Sequence, residues 1–221
     1  MALYTRSTQV IFALLCLLSC DVFADRLLIL DQSGKPVKGA VIELADVEGG
    51  APAVDEKQTA VMDQINKRFV PELLVINVNE YVNFPNSDNI RHHVYSFSPT
   101  KPFELKLYSG QPEAPLSFEK PGIVVLGCNI HDSMVGYIYV SESEYVHTTG
   151  DDGRVLVDSS IHYQGLTVWH PNQSSGHMAV KHFSRDTLKP MDGDNQTIVI
   201  ELSITQPEPR NTFQDVFKHD H

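Results

Sequence analysis

Residues 122–140 read Gly122-Ile123-Val124-Val125-Leu126-Gly127-Cys128-Asn129-Ile130-His131-Asp132-Ser133-Met134-Val135-Gly136-Tyr137-Ile138-Tyr139-Val140. Runs rich in Val, Ile and Tyr flank a seven-residue loop that opens at Cys128 and closes at Met134. Branched and aromatic side chains at that density suit a pleated, largely buried surface, so the stretch reads as strand, loop and returning strand. The loop is Cys-x-x-His-x-x-Met, with Cys128, His131 and Met134 at equal steps. A thiolate, an imidazole and a thioether are soft or borderline donors, a set suited to copper. A second imidazole stands upstream in Arg91-His92-His93-Val94. Two His, one Cys and a weak axial Met make the trigonal site that supports one-electron exchange.

The same punctuation extends in both directions. Upstream lie Ala60-Val61-Met62, Leu73-Leu74-Val75-Ile76-Asn77-Val78, Tyr81-Val82-Asn83-Phe84 and His93-Val94-Tyr95-Ser96-Phe97, broken by Asn-Glu and Pro-Asn turns. Leu27-Leu28-Ile29-Leu30 and Gly39-Ala40-Val41-Ile42-Glu43-Leu44 read as two strands around a tight turn. Downstream come Val155-Leu156-Val157, Leu166-Thr167-Val168-Trp169 and Thr197-Ile198-Val199-Ile200-Glu201-Leu202. No stretch sustains a helical period, so the fold class is all-β, with short strands in a Greek-key sandwich or barrel. The 221 residues, 42% hydrophobic and 20% charged, supply apolar material for a packed core. A net charge of -11 argues against nucleic-acid binding, because such a chain repels phosphate backbones.

Residues 1–24 have the form of a secretory signal. Arg6 precedes an apolar run from Val10 to Leu18, shorter than the roughly 20 residues a bilayer span needs. Val22-Phe23-Ala24 suits a cut after Ala24, leaving Asp25 as the first mature residue. The rival reading is a lipoprotein signal at Leu17-Leu18-Ser19-Cys20, with Cys20 as the anchored residue. Either way the expected location is a bacterial periplasm, and no later segment is expected to span a membrane. Cys16 and Cys20 belong to the signal, so the mature chain keeps Cys128 alone. In an oxidising compartment a lone thiol is either buried and inert or occupied by a metal.

On these residues the stretch from 58 to 142 resembles the cupredoxins, the type-1 blue copper proteins. Its loop spacing is similar to that of the amicyanins. Asn86-Ser87-Asp88 ahead of Arg91-His92-His93-Val94-Tyr95-Ser96-Phe97-Ser98 looks like chains labelled methylamine-utilisation-like cupredoxins. The resemblance implies one type-1 copper per chain, with Cys128, His131 and Met134 as loop ligands and His92 upstream. Family members usually carry Asn after that histidine. Here His93 stands in its place and would have to supply the bracing of the ligand loop. Motif register favours His92, whereas the more apolar company of His93, namely Tyr95 and Phe97, favours His93, and the choice stays open at this stage.

Asp31-x-x-Gly34-x-Pro36-x-x-Gly39-Ala40-x-Ile42 and Thr149-x-Asp151-Asp152-Gly153-Arg154 resemble pieces of a carboxypeptidase-regulatory-like, immunoglobulin-like β-sandwich. They imply a discontinuous domain, 26–57 and 143–205, interrupted by a cupredoxin domain at 58–142. Residues 206–221 are expected to form a mobile tail. The resemblance implies an electron carrier and not an enzyme, because the motif leaves no open coordination position and no second copper cluster. Its expected partner is a redox protein such as a c-type cytochrome or a dehydrogenase. Apolar neighbours Ile130, Val135 and Val94 are expected to keep water from the metal. The alternative function is a copper-binding module for buffering or delivery. The histidines at 147, 162, 170, 177, 182, 219 and 221 match no ligand spacing and are assigned no role.

Overall fold

Strands that are apolar on both faces need cover on both faces, and three segments of this chain have that character. Val41–Ala45, Val135–Ser141 and Gly165–Trp169 leave no residue exposed, and each lies in an inner layer. The computed structural model describes residues 25–49, 59–112, 114–131 and 133–205. The expected signal segment 1–24 with Cys20 and the expected tail 206–221 lie outside the described residues.

In chain order the first strands are β1 (Asp25–Asp31), β2 (Val41–Ala45), β3 (Thr59–Val61), β4 (Asp63–Ile65), β5 (Arg68–Val70) and β6 (Leu73–Asn77). Then come β7 (Tyr81–Asn83), β8 (His92–Ser96), β9 (Phe103–Tyr108), β10 (Leu116–Ser117), β11 (Gly122–Cys128) and β12 (Val135–Ser141). The last are β13 (Val146–Thr148), β14 (Arg154–Val157), β15 (Gly165–Trp169), β16 (Lys181–Ser184), β17 (Pro190–Met191) and β18 (Asp194–Leu202). A 3-10 turn at Arg185–Thr187 is the one helical element among the described residues. The fold is all-β and sandwich-like.

Sheet order explains how the layers stack. The sheets β14-β1-β18-β17 and β13-β2-β15-β16 enclose one core, with Leu27, Ile29, Ile42, Leu44, Leu166 and Ile200 inside it. The sheets β6-β12-β11-β8-β9 and β10-β7-β3 enclose a second, which includes Phe84, Val94, Phe118, Leu126, Cys128 and Met134. A third cluster of Val41, Ile123, Tyr137, Tyr139 and Trp169 covers the other face of the five-stranded sheet. Ile138 and Val140 of β12 point into the second core and Tyr137 and Tyr139 into the third, the alternation of a strand buried on both sides.

Among the described residues, strands between 59 and 141 pair only with one another, and β1 and β2 pair only with strands after residue 145. Residues 37–40 and 149–153 meet across that long separation. The Thr149 hydroxyl accepts the Ala40 amide at 2.9 Å and donates to the Val37 carbonyl at 2.6 Å. Gly153 fits beside them because its φ is +69° and a Cβ there would lie 2.6 Å from the Ile29 carbonyl. The segments 27–30 and 39–44, read from sequence as two strands around a turn, are not hairpin partners. β1 and β2 belong to different sheets, and the Asp31–Gly39 turn carries the chain from one layer to the next.

Glu43 ties two layers together. Its carboxylate accepts the Tyr139 hydroxyl at 2.6 Å, the Ser141 hydroxyl at 2.8 Å and the Glu142 and Ser143 amides, each at 2.9 Å. Burial, reinforced by the neighbouring Glu43 charge, pushes the Tyr139 phenol well above its ordinary range. Replacing Glu43 by Ala strips an acceptor from a buried phenol and should cost about 2–4 kcal/mol in urea-unfolding stability. Glu43→Gln, which keeps an acceptor oxygen, should cost clearly less.

Candidate metal centre

Three backbone features bring the donors together. β8 and β11 pair so that Val94 lies opposite Cys128. His92 is two residues from Val94 and therefore shares its inward face, as the burial alternation of β8 shows. The register of β8 on β9 shifts between His92 and Val94, a local irregularity of the kind that re-aims a side chain. His92 Nδ1 consequently lies 3.7 Å from Cys128 Sγ. On the other side of the sulfur, the loop carries His131 Nδ1 to 3.9 Å. The Met134 amide donates to the His131 carbonyl at 2.9 Å, closing a turn that returns Met134 to the core beside Cys128.

His92, Cys128 and Met134 are 0%, 3% and 1% exposed, whereas His131 is partly exposed. One ligand atom from each of His92, Cys128 and His131 lies within 4.8 Å of the others, the one such His, Cys or carboxylate group among the described residues. For bonds of about 2.3 Å to sulfur and about 2.0 Å to nitrogen at trigonal angles, sulfur and nitrogen stand roughly 3.8 Å apart. The two sulfur–nitrogen separations match that value, so the donors fit a single first-row ion. The Cys128 thiolate, with the Met134 thioether buried in the same core, gives the set the softness copper favours.

His93 is elsewhere. Its ring points to the other face of β8, with Nε2 2.9 Å from Glu104 Oε1, in ion-pair reach but out of line for a hydrogen bond. It packs edge-on to Tyr95, which in turn packs on Phe97. The apolar company that favoured His93 in the sequence is misleading, because Tyr95 and Phe97 form an outward stripe and Phe97 is 84% exposed. The plainer face of His92, Val94 and Ser96 is the buried one. The expected water-excluding shell also needs correction: Val94 is buried and Val135 half-buried, but Ile130 is 48% exposed at the loop surface.

The loop before His92 is pinned by Asn86 and Asp88, residues that carry part of the family resemblance but receive no role from the sequence. Asn86 Nδ2 donates to the Ile90 and Tyr108 carbonyls at 2.9 and 2.8 Å, and its Oδ1 accepts the Asp88 amide at 3.1 Å. Asp88 Oδ2 lies 2.7 Å from His92 Nε2 and accepts the Lys67 amide at 2.9 Å, while Oδ1 accepts the Asn66 amide at 2.6 Å. Partial burial works against the Asp88 charge. The Lys67 amide, His92 and the Asn66 amide outweigh it and hold the carboxyl below its ordinary range. Below them Gln64, fully buried, donates to the Tyr108 hydroxyl and the Pro85 carbonyl. Burial above all, with the Asp63 and Cys128 charges adding to it, pushes the Tyr108 phenol up to about 12. Burial, then the nearby His92 and Lys67, push the His131 imidazole down, against the pull of Asp88.

No protein-family model matches the chain, and no curated protein matches it. Among solved structures it is similar to the "Cu-containing nitrite reductase (NirK) from Thermus scotoductus SA-01", with 26% identity over 52% of this chain and a TM-score of 0.37. The match spans 28% of the length of that reductase. A mutant amicyanin in its reduced state matches with 21% identity, 47% of this chain, 99% of that one and a TM-score of 0.33. A "Novel Purple Cupredoxin from Nitrosopumilus maritimus" matches with 22% identity, 38% of this chain, 98% of that one and a TM-score of 0.33.

The placement of the two adjacent histidines makes a clean contrast. In a cupric-ion titration followed by paramagnetic resonance, His92→Ala should lower affinity by more than the about 10–100-fold that losing an outer-shell contact costs. His93→Ala, which alters only the outward face, should leave affinity and spectrum as in the parent protein.

Proposed function

We propose that this chain is an exported blue copper protein that carries single electrons between redox partners. The observation that supports this best is the convergence of Cys128 Sγ, His92 Nδ1 and His131 Nδ1 around one point, with Met134 buried in the core that holds Cys128. In this reading one copper ion would be held by His92, Cys128 and His131, with Met134 as a weaker fourth donor. When bound, copper supplies the one-electron chemistry and the chain supplies rigidity and access. Cys128, ending a β-strand paired on both sides, fixes the sulfur. His92 is held from behind by Asp88, and Met134 is locked in the core, so little protein motion accompanies each electron. The partly exposed His131 edge, beside the exposed Ile130, is the point of closest approach for a partner.

The flanking segments 26–57 and 143–205 are read as a bracing sandwich into which the copper domain, 58–142, is inserted. Export to the periplasm, with a cut after Ala24, follows from the signal-like first residues. No helix among the described residues is long and apolar enough to cross a membrane. The net charge of -11 suits a partner with a basic docking patch, such as a c-type cytochrome or a dehydrogenase.

Cupric ion added to the purified protein should bind at one equivalent per chain and give the intense visible absorption of thiolate-to-copper charge transfer, with a reversible one-electron couple. Cys128→Ser should abolish the band. Electron exchange with a basic partner should slow as salt rises through the range where the Debye length falls from about 30 to about 8 Å. Readily exchanged cuprous ion with no reproducible couple would instead indicate buffering or delivery.

A further inference from the structure

Asp88 sits where one side chain serves two structures at once. Its carboxylate receives both amides of the Asn66-Lys67 turn that joins β4 to β5, two residues in the left-handed region with φ of 52° and 58°. The same carboxylate meets His92 Nε2 at 2.7 Å. His92 is fully buried and the Asp88 side chain is 11% exposed, so water is a weak competitor for this contact. A carboxylate accepts hydrogen bonds and cannot donate them, which commits the His92 proton to Nε2 and leaves the Nδ1 lone pair facing Cys128.

We propose that Asp88 is the positioning residue of the copper centre: it fixes the tautomer and rotation of His92 and, by its charge, favours the cupric over the cuprous ion. This rests on the copper reading above. A negative charge one imidazole away from the metal stabilises the more positive oxidation state, and a hydrogen-bonded carboxylate makes the ring a stronger donor. The two turn amides keep that charge in place, because they hold the carboxylate against any swing toward solvent. The Asn66-Lys67 turn thus acts as a strap that sets the potential through Asp88 without touching a ligand.

Asp63 offers a matched control. It pins the same loop, accepting the Ser87 hydroxyl at 2.8 Å and the Ser87 amide at 3.2 Å, and has no contact with His92. Cupric and cuprous affinities and the midpoint potential are measured for the full chain, Asp88→Asn and Asp63→Asn. Asp88→Asn should weaken cupric binding by about 10–100-fold and cuprous binding by less, raising the potential, while Asp63→Asn should shift the potential clearly less. Nitrogen-15 NMR of the neutral imidazoles of the metal-free protein should show His92 protonated at Nε2 alone and a mixture of tautomers in Asp88→Ala. The proposal is overturned if Asp88→Asn leaves the ratio of the two affinities unaltered, or if Asp63→Asn shifts it equally. Should the parent protein take up no copper, the electron-carrier reading falls, and the NMR comparison alone then upholds or overturns the hold of Asp88 on His92.

Discussion

The pairing of β8 with β11 is the constraint on which the rest depends. Only with Val94 opposite Cys128 do His92 and the thiol face the same core. A slip of one residue would turn His92 outward and bring His93 in, since side chains alternate across a strand. The register is held from several sides. β11 pairs with β12 along six residues, Gly122 to Gly127, and β12 is buried on both faces, so the cost of sliding it is spread over two cores. Gly127 adds a local lock: the Tyr95 ring lies so close that a Cβ there would approach it to 2.7 Å.

Burial on both faces links the sheet that carries the donors to the flanking layers. Trp169, fully buried, packs against Tyr137 and Tyr139 at 5.8 Å between ring centres and donates its indole N–H to the His177 carbonyl at 2.8 Å. Glu43 adds a polar tie on the same side. The donors therefore rest on a sheet supported from both faces, the kind of support that the proposed electron exchange needs for small reorganisation.

Much of this was legible in the sequence, for identifiable reasons. Short branched and aromatic runs announce strands, and Cys-x-x-His-x-x-Met between two of them announces a donor loop, because the information is local. Between His92 and His93 the motif register favours His92, but the hydrophobic pattern points the other way: residues 92–97 alternate, and hydrophobicity alone assigns the core to Tyr95 and Phe97, whereas those rings line an outer stripe. Ile130 misled in the same way, an apolar residue set at a loop surface. Asp88 entered the sequence reading only within the Asn86-Ser87-Asp88 resemblance, and nothing local gives its carboxylate a task. Its partners, the Asn66 and Lys67 amides, stand more than twenty residues away in the chain. The segments 27–30 and 39–44 looked like neighbours and proved to lie in different sheets, since a turn specifies a reversal of direction but not the strand that follows it.

The most direct test of the account is the anomalous diffraction of copper in crystals of the loaded protein. The account predicts one strong peak per chain, within bonding distance of Cys128 Sγ, His92 Nδ1 and His131 Nδ1 and on the Met134 side of their plane. A peak at the outward His93 and Glu104 pair, or no ordered copper between the three donors at saturation, would contradict it.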